Sequence, residues 1–477
     1  MEMEMIRLNP DMMARYEIED RRPGQVNAVA FGMGPRLMGG LNRLIDEAGI
    51  GLGVACVQAG EAGYAGWLEP QGGLYTVVIR GYDGENPVHR EQVVQCVRAA
   101  IDPEANPEAL DALAADPAVA LAILDAEYGI AEATLEAMAR FMAVRRRAGL
   151  PAPAVLCLGD AAAVESVRDA LAAASDDGDG LRAWLTDWAW GLLDSLAFRS
   201  DPAEAARLCR EMNYRDSMLY LAEPYARLTL CAPEAFQRRF PLDRAPGVRF
   251  VDAPSLEAAY ALHRTAFDGG LCLLACAGWL NGCDTLFDAM RHERLRRFAG
   301  SAFTGELLPA LYAEAGLDRA AVDTCVIDTF ARFENPLNRN GLLPSAHHLL
   351  TRFARGPARL MARWADDRFE PPRGLAFALA ATIMLYAGAR ENPETGLYEV
   401  ARGKAVEPLW DDREKLRIFA TLSHDMPPES LAYAALADRE LWDGLDLRDI
   451  EGLEARVALD IAAMQREPGF LPELAAE

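Results

Sequence analysis

The chain opens with a short apolar run, a glycine-rich turn, a helical pattern and a second apolar run, and this order constrains the fold more than any other feature. The runs are residues 26–32 and 52–58, and Gly32, Met33 and Gly34 form the turn after the first run. This succession predicts the start of a βαβ unit, in which phosphate meets backbone N–H groups at the beginning of a helix. The third glycine, at position 39, departs from the usual dinucleotide fingerprint. An ordinary tight turn between strand and helix therefore remains the alternative interpretation.

The later pattern predicts two domains. Further strand-like runs lie at 74–81, 119–125 and 154–160, separated by helical stretches. Such alternation is typical of an α/β fold with a doubly wound sheet. Helical patterns then fill 254–291, 302–314, 319–332, 341–363, 374–388, 428–439 and 449–465. We therefore expect a Rossmann-like doubly wound domain over residues 1–245 and an α-helical domain over 246–477, with no sheet of three or more strands after residue 260.

Composition excludes several classes of partner and site. The formal net charge of −24 argues against nucleic acid and anionic membrane surfaces, both of which attract basic proteins. The nine cysteines are scattered without a C-x-x-C pair, which predicts core thiols and no metal site. The acidic N-terminus lacks the apolar segment of a signal peptide. We expect a cytoplasmic protein whose partner is a small-molecule substrate, and the sequence leaves the oligomeric state open.

Only two lysines occur in the 477 residues, Lys404 and Lys415. Both lie near the C-terminus, away from the segments that resemble an active site. The sequence therefore predicts that no lysine serves as a central general base, Schiff-base former or phosphate clamp.

Several short segments, in order along the chain, carry a family resemblance. They are Phe31-Gly32-x-Gly34, Gly73-Leu74-Tyr75-Thr76, Glu127-x-Gly129-Ile130, Tyr214-x-Asp216, Gly282-x-Asp284-Thr285, Arg332-Phe333-x-Asn335-Pro336 and Thr351-Arg352-Phe353. With this set the chain resembles the polyol-specific long-chain dehydrogenases, the family of tagaturonate reductase and mannitol dehydrogenase. The resemblance implies a Rossmann-like NAD-binding domain followed by a helical substrate domain, with the active site in the cleft between them.

The resemblance also implies a catalytic motif, Lys-x4-Asn-x2-His, on the first long helix of the second domain. In the family the lysine takes the hydroxyl proton as hydride leaves carbon, and the asparagine and histidine hold the oxygen. The corresponding stretch here is HRTAFDGGLCLL, residues 263–274. Counting back from Gly282 aligns His263, Asp268 and Leu271 with the three motif positions.

Counting forward from Tyr260 shifts the alignment by one residue and gives Arg264, Gly269 and Cys272 instead. We prefer the first register, because it keeps the apolar Phe267 where the family has an apolar residue. In either register the lysine and the histidine of the motif are absent.

Other positions that the family uses for chemistry have changed as well. The Asn-Phe that follows the family's Gly-x-Gly is Pro35-Arg36, and the family's Ser-Asn-Thr-Thr is residues 123–126, Ile-Leu-Asp-Ala. An Asp-Arg pair retains only Asp194, with serine next to it. A histidine and an asparagine of the family become Asn340 and His348. Substitutions concentrated at such positions are expected when selection on the chemistry is relaxed or redirected.

Four residues are the main candidates for function. His263 is the candidate base, because imidazole exchanges its proton near neutral pH; the alternative is a half-buried histidine bonded to backbone. Asp268 lies about 140° further round an α-helix, so pairing between the two does not follow from spacing. Asp194 is a candidate site carboxylate or a helix-terminal aspartate. Glu127 is expected at a strand end, where doubly wound folds bind ligands, together with the cofactor turn Gly32–Gly34.

Two functions remain open at this stage. The first is an NAD-dependent oxidoreductase that acts on a sugar acid or polyol-like hydroxy/keto compound, with His263 in place of the lysine. The second is a redirected, non-redox or catalytically inert family member that acts as a binding protein or partner subunit. Persistence of the scaffold favours the first, and the altered catalytic helix favours the second.

Overall fold

The computed structural model describes residues 5–58, 63–84, 86–314, 317–337, 341–367, 370–403 and 405–474. The chain divides into two compact units, residues 1–257 and 258–477. The boundary expected at residue 245 lies earlier, before a strand at 248–251 that belongs to the sheet of the first unit.

The described residues of the first unit form twelve strands. They are β1 Ala28–Phe31, β2 Val54–Val57, β3 Tyr75–Asp83, β4 Asn86–Val94, β5 Val97–Ile101, β6 Leu121–Asp125, β7 Ala154–Leu158, β8 Trp188–Asp194, β9 Ala197–Arg199, β10 Tyr220–Ala222, β11 Arg227–Cys231 and β12 Val248–Val251. Its α-helices are α1 Pro10–Arg15, α2 Asn42–Ala48, α3 Tyr64–Leu68, α4 Pro107–Ala115, α5 Glu132–Arg147, α6 Ala161–Ala173, α7 Gly178–Trp184, α8 Pro202–Met212 and α9 Glu234–Arg239.

Eight strands form the main sheet in the order β5-β2-β1-β6-β7-β8-β11-β12. The first six strands in this order are parallel, and β11 joins β8 in the antiparallel direction. Their spatial order, numbered by sequence among those six, is 3-2-1-4-5-6, that of the doubly wound dinucleotide fold. The point where the strand order reverses lies between β1 and β6, and such folds bind ligands at the carboxyl ends of the strands there.

The sheet is buried on both faces, which explains why its strands are almost continuously apolar. Alternate residues of β1 enter two different cores: Ala28 and Ala30 pack in one, Val29 and Phe31 in the other. All four side chains of β1 are buried. The strand and helix alternation predicted from sequence is therefore confirmed for the N-terminal unit.

A second sheet of four strands, in the order β4-β3-β10-β9, packs in the same unit. Between residues 81 and 119 the helical stretch expected from the sequence is α4, but the described residues also form the strands β4 and β5 there, which were not predicted. The polar side chains of β4 are mostly exposed, so this strand lacks the apolar pattern that marks the others.

The second unit is mainly helical. Its helices are α10 Ala253–His263, which begins before the unit boundary, α11 Gly269–Leu280, α12 Leu286–Arg291, α13 Glu293–Ala302, α14 Leu308–Ala313, α15 Arg319–Phe333, α16 Leu342–Ser345, α17 Leu349–Arg355, α18 Pro357–Asp367, α19 Arg373–Tyr386, α20 Arg413–Phe419, α21 Pro428–Ala437 and α22 Leu453–Arg466. Two of them, α11 and α19, are buried on nearly every side and form the centre of the unit. None of the helices within the described ranges is long and apolar enough to cross a membrane.

A small antiparallel sheet interrupts the helices. It consists of β13 Arg390–Glu391, β14 Tyr398–Arg402 and β15 Ala405–Pro408. The prediction that no sheet of three strands follows residue 260 was therefore wrong. These strands are two to five residues long, and Tyr398 and Val400 are their only buried side chains, so no buried apolar run marks them in the sequence. The mainly helical character predicted for the C-terminal part is otherwise confirmed.

Candidate functional site

The glycine turn after β1 has the backbone geometry that a phosphate-binding turn requires. Gly32 has a φ of +116°, a conformation that side chains with a Cβ rarely adopt. Its N–H donates to the carbonyl of Val57 at 2.8 Å, which ties the turn to β2. A Cβ built on Gly34 would meet nothing within 4 Å, whereas one built on Gly32 would lie 3.2 Å from Leu37 Cδ1, so the turn is open at Gly34 and closed at Gly32 by Leu37. Met33 between them is buried, and its carbonyl accepts the Tyr220 hydroxyl at 3.2 Å.

The helix after this turn begins with a π-helical segment, Arg36–Leu41, which continues into α2. It packs closely on the smaller sheet through Gly39, where an added Cβ would lie 2.8 Å from the Cβ of Ala197. The third glycine of the turn motif therefore serves close packing between helix and strand. This is one of the roles that glycines have in dinucleotide-binding folds.

An ion pair joins the start of this helix to the carboxyl end of β6. Arg36 Nε donates to Asp125 Oδ2 at 2.8 Å, and Arg36 Nη1 donates to the carbonyl of Leu193 in β8 at 3.1 Å. The Arg36 side chain is only 11% exposed. Burial lowers the pKa of the guanidinium, but the nearby Asp125, Tyr128 and Glu127 outweigh burial and raise it. Arg36 is therefore a permanent cation held by carboxylates.

The remaining candidates of the N-terminal unit lie at the ends of strands. Glu127 is buried, and its N–H donates to Asp125 Oδ1 at 3.2 Å in the bend after β6. Gly129, two residues later, has a φ of +107° and open space where a Cβ would stand. Asp194 is the last residue of β8, opposite Arg227 in the sheet register. Glu127 therefore shares a bend with Asp125, whereas Asp194 ends a different strand.

A π-helical turn brings the candidate residues of the second unit close together. Between α10 and α11 the chain forms a π-helical turn, Arg264–Asp268, in which the N–H of Gly269 donates to the carbonyl of Arg264. Residues five apart lie above one another in such a turn, because its hydrogen bonds run from i to i+5. His263 Nε2 consequently lies 3.7 Å from Asp268 Oδ1. The separation expected for an α-helix does not apply, and the two side chains are neighbours.

The His263–Asp268 pair is enclosed by aromatic and basic side chains. The imidazole stacks on Phe267, with 5.2 Å between ring centroids and 13° between ring planes. The guanidinium of Arg332 lies on Phe267 as well, 4.1 Å from the ring centroid. Arg352 forms an ion pair with Asp268, and its Nε donates to a backbone carbonyl at 2.9 Å. Both side chains of this second ion pair are almost fully buried. We call these five residues the histidine cluster.

The alternative register places different side chains at the motif positions. Arg264 lies over the ring of Tyr260, 4.6 Å from its centroid, and Gly269 has no side chain to contribute. Cys272 is buried in α11, and burial raises its thiol pKa well above the ordinary value. A neutral buried thiol is a poor nucleophile or base. Leu271, the third position of the preferred register, is a buried core residue.

Lys415, the one lysine among the described residues, forms its ion pair outside the histidine cluster. Lys415 is buried and its Nζ donates to Asp443 Oδ1 at 2.7 Å, whereas Lys404 lies outside the described residues. His348 caps α17 in a left-handed backbone conformation, and Asn340 also lies outside the described residues. In the described ranges no group of three or more His, Cys, Asp and Glu side chains is arranged to hold a metal ion.

Sequence reasoning placed His263 and Asp268 together only as a motif, and it assigned no role to Arg332 and Arg352. Both arginines belong to segments that carry the family resemblance. Their burial in spite of a permanent charge is the property that marks them, because a buried arginine requires partners. Burial of a particular arginine is not visible in a single sequence.

Curated proteins similar to this chain include altronate oxidoreductases. An altronate oxidoreductase of Cronobacter sakazakii is 30% identical over 276 residues, which cover 57% of this chain and 54% of that protein. An altronate oxidoreductase of Pectobacterium atrosepticum is 24% identical over 450 residues, covering 87% and 89%. In the first of these matches the chain spans about half the length of its relative. No protein-family model matches the chain.

Solved structures show the same fold over the whole chain. Mannitol 2-dehydrogenase of Pseudomonas fluorescens, in a ternary complex with NAD and D-mannitol, superposes with a TM-score of 0.79 at 16% identity, covering 97% of this chain and 98% of that one. Substrate-free D-sorbitol dehydrogenase gives a TM-score of 0.65 at 18% identity, covering 98% and 99%. These findings confirm the resemblance to the mannitol dehydrogenase and tagaturonate reductase family, and they confirm the fold class.

Proposed function

We propose that the chain is an NAD-dependent oxidoreductase that acts on a sugar acid or a polyol-like hydroxy/keto compound, with His263 as the proton acceptor in place of the family lysine. The observation that carries this proposal is the π-helical turn, which brings His263 Nε2 to 3.7 Å from Asp268 Oδ1. A histidine next to a carboxylate is a common arrangement for general acid–base catalysis.

The geometry supports the register that starts at His263. The family motif separates its first two polar residues by five positions, and a π-helical turn places residues with that spacing side by side. In the other register the second position is a glycine, and Arg264 remains protonated in any realistic site. The first motif position is His263 in one register and Arg264 in the other. Of these two side chains, only His263 can accept a proton near neutral pH.

Four members of the histidine cluster have distinct parts in this proposal. His263 accepts the proton of the substrate hydroxyl during oxidation and returns it during reduction. Asp268 stabilises the imidazolium that forms, while Arg352 holds Asp268 in place through their ion pair. Phe267 limits the rotation of the imidazole by stacking on it.

Charge near the cluster favours an acid over a neutral polyol as substrate. Arg332 and Arg352 are both buried, whereas Asp268 is the one carboxylate among the five residues of the cluster. An arginine presents a planar set of donors that matches a carboxylate. We therefore rank sugar acids before polyols, in agreement with the names of the curated relatives.

The N-terminal unit fits the dinucleotide that this function requires. The backbone turn Gly32–Gly34, which is open at Gly34, would hold the pyrophosphate, and the reversal of strand order between β1 and β6 is where folds of this type bind dinucleotides. NAD, when bound, supplies the hydride acceptor. Pro35 removes one amide from the turn, so fewer backbone donors are available than the usual fingerprint provides.

The test combines ligand binding with kinetics. NADH binding is measured by fluorescence titration, and turnover is measured across a pH series with hexuronic acids, aldonic acids and polyols. His263→Ala should lower kcat by about two to four orders of magnitude, the usual effect of losing a general base, and leave the Kd for NADH unchanged. The matched control is His424→Ala, because His424 is half exposed and lies far along the chain in a loop. Equal turnover in wild type and His263→Ala would refute the role of His263.

The second candidate function is that of a redirected or inert family member. The missing lysine favours it, and so does the buried ion pair that already engages Asp268. Tight NADH binding without turnover of any sugar acid or polyol would select this alternative.

A further inference from the structure

Arg36 stands out among the charged residues outside the histidine cluster. It replaces a phenylalanine of the family pattern, and its partner Asp125 replaces a threonine of the family's Ser-Asn-Thr-Thr. Two departures from the pattern, 89 positions apart in sequence, thus contact each other directly at 2.8 Å. Either charge without the other would destabilise the protein at this degree of burial, because an unpaired buried charge is costly.

The ion pair bridges the place where the strand order reverses. Asp125 is the last residue of β6, and Arg36 follows the turn at the end of β1, the strand beside it. The second hydrogen bond of Arg36 goes to the carbonyl of Leu193, which directly precedes the last residue of β8. The guanidinium therefore lies along the carboxyl edge of the sheet, where a dinucleotide binds in this type of fold.

One donor of the guanidinium is still available. Nε and Nη1 have partners within the protein, whereas Nη2 is buried without a hydrogen-bond partner. A buried donor without an acceptor costs about 1–3 kcal/mol, which is a reason to expect that a ligand supplies the acceptor. The carboxylates of Asp125 and Glu127 make the surroundings negative, so an anionic ligand must compete with them for the guanidinium.

Resting on the function proposed above, we propose that Arg36 is a phosphate-binding residue specific to this chain, which donates through Nη2 to the pyrophosphate of NAD, and that Asp125 restrains this interaction. Arg36 thereby compensates for the amide that Pro35 removes from the turn. In this proposal the guanidinium interacts both with the carboxylate of Asp125 and with the pyrophosphate of NAD.

The proposal predicts opposite effects for the two members of the pair. Arg36→Gln should weaken NADH binding about tenfold or more, because a hydrogen bond to a charged group is lost. Asp125→Asn should tighten NADH binding about three- to tenfold, because a negative charge near the pyrophosphate is removed while the amide oxygen still accepts the N–H of Glu127. Binding is measured by calorimetry and by NADH fluorescence, each at low and high salt, and the tightening should diminish with salt.

The Arg140–Asp111 pair supplies the matched controls. It joins the same residue types in the same unit at 2.7 Å, but its side chains are 46% and 38% exposed. Arg140→Gln and Asp111→Asn should leave the Kd for NADH unchanged. Thermal melts of all four variants identify any loss of folding.

The outcomes separate this proposal from the function on which it rests. If wild type binds NADH and Arg36→Gln, folded as wild type, binds it equally well, the role of Arg36 is refuted and the cofactor assignment stands. Weaker binding by a folded Asp125→Asn refutes the restraining role of Asp125. If neither wild type nor Asp125→Asn binds NADH, the cofactor assignment itself falls, and the role of Arg36 falls with it.

Discussion

Neutralising Asp268 provides a quantitative test of the histidine cluster that does not depend on catalysis. The side chains of Asp268 and Arg352 are 5% and 3% exposed, so Asp268→Asn leaves the Arg352 cation in an almost water-free environment. Of the contacts described for Arg352, the bond from Nε to the carbonyl of His347 remains. Breaking one side of a buried ion pair costs about 3–5 kcal/mol. The asparagine oxygen can still accept one hydrogen bond, so we expect about 3 kcal/mol.

The expected loss in unfolding free energy is large enough to be measured by unfolding in denaturant. With a urea dependence of about 2–3 kcal/mol per M, a destabilisation of about 3 kcal/mol moves the unfolding midpoint by about 1 M. Tryptophan fluorescence and far-UV circular dichroism follow the transition. The matched control is Asp284→Asn, which breaks the ion pair with Arg402 in the same unit. Asp284 is 75% exposed there, and an exposed pair contributes at most about 1 kcal/mol.

A double variant tests the physical cause. Asp268→Asn combined with Arg352→Met also removes the buried cation that has lost its partner Asp268, so most of the lost stability should return. The reasoning is refuted if Asp268→Asn is no more destabilising than Asp284→Asn. It is also refuted if the double variant is less stable than Asp268→Asn alone, because the cost would then come from packing and not from the loss of the Asp268–Arg352 ion pair.

Two further predictions concern stability away from the cluster. Burial raises the pKa of Asp411 from 3.8 to about 6, so this group favours the folded state at low pH and the benefit is lost as pH rises from about 4 through 6. The unfolding free energy of Asp411→Asn, measured by urea titration, should therefore rise by about 3 kcal/mol relative to that of wild type between pH 4 and pH 7. A difference between the two proteins that does not change with pH would contradict this. Gly39→Ala should destabilise the protein by about 1–3 kcal/mol in thermal or urea melts, because its Cβ would lie 2.8 Å from that of Ala197. Gly300→Ala, at a helical position with nothing within 4 Å, should instead be neutral or stabilising, and equal losses at both glycines would count against the packing argument.

The sequence predicted those parts of the fold that are marked by continuous apolar runs. Each of the five strand-like runs contains a strand, and four of these, β1, β2, β6 and β7, are apolar because they are parallel strands of a sheet that is buried on both faces. The strand at 86–94 was missed because its polar side chains are mostly exposed and interrupt any apolar run. The strands between 390 and 408 were missed because they are two to five residues long and contain no continuous buried run. Exposed strands take their stability from pairing, which a single sequence does not reveal.

The sequence predicted residues of the candidate site, but it did not predict how their side chains are arranged in space. An α-helical projection separates His263 from Asp268, and nothing in the local sequence specifies that the intervening turn is π-helical. Arg352 is 84 positions from Asp268, and the Arg36–Asp125 pair spans 89 positions. Contacts of that range depend on tertiary packing, which pattern and spacing do not encode.

The π-helical turn at Arg264–Asp268 also affects how the sequences of relatives should be aligned. A turn with i to i+5 bonds contains one residue more than an α-helical turn of similar length. A relative that lacks the irregularity would need a one-residue gap inside a continuous helix, where alignment procedures normally avoid gaps. Without that gap, every aligned position on one side of the turn would be shifted by one residue. The same shift separates the register that begins at His263 from the register that begins at Arg264. Searches for acid–base pairs on helices should therefore include residues five apart, in addition to the usual three and four.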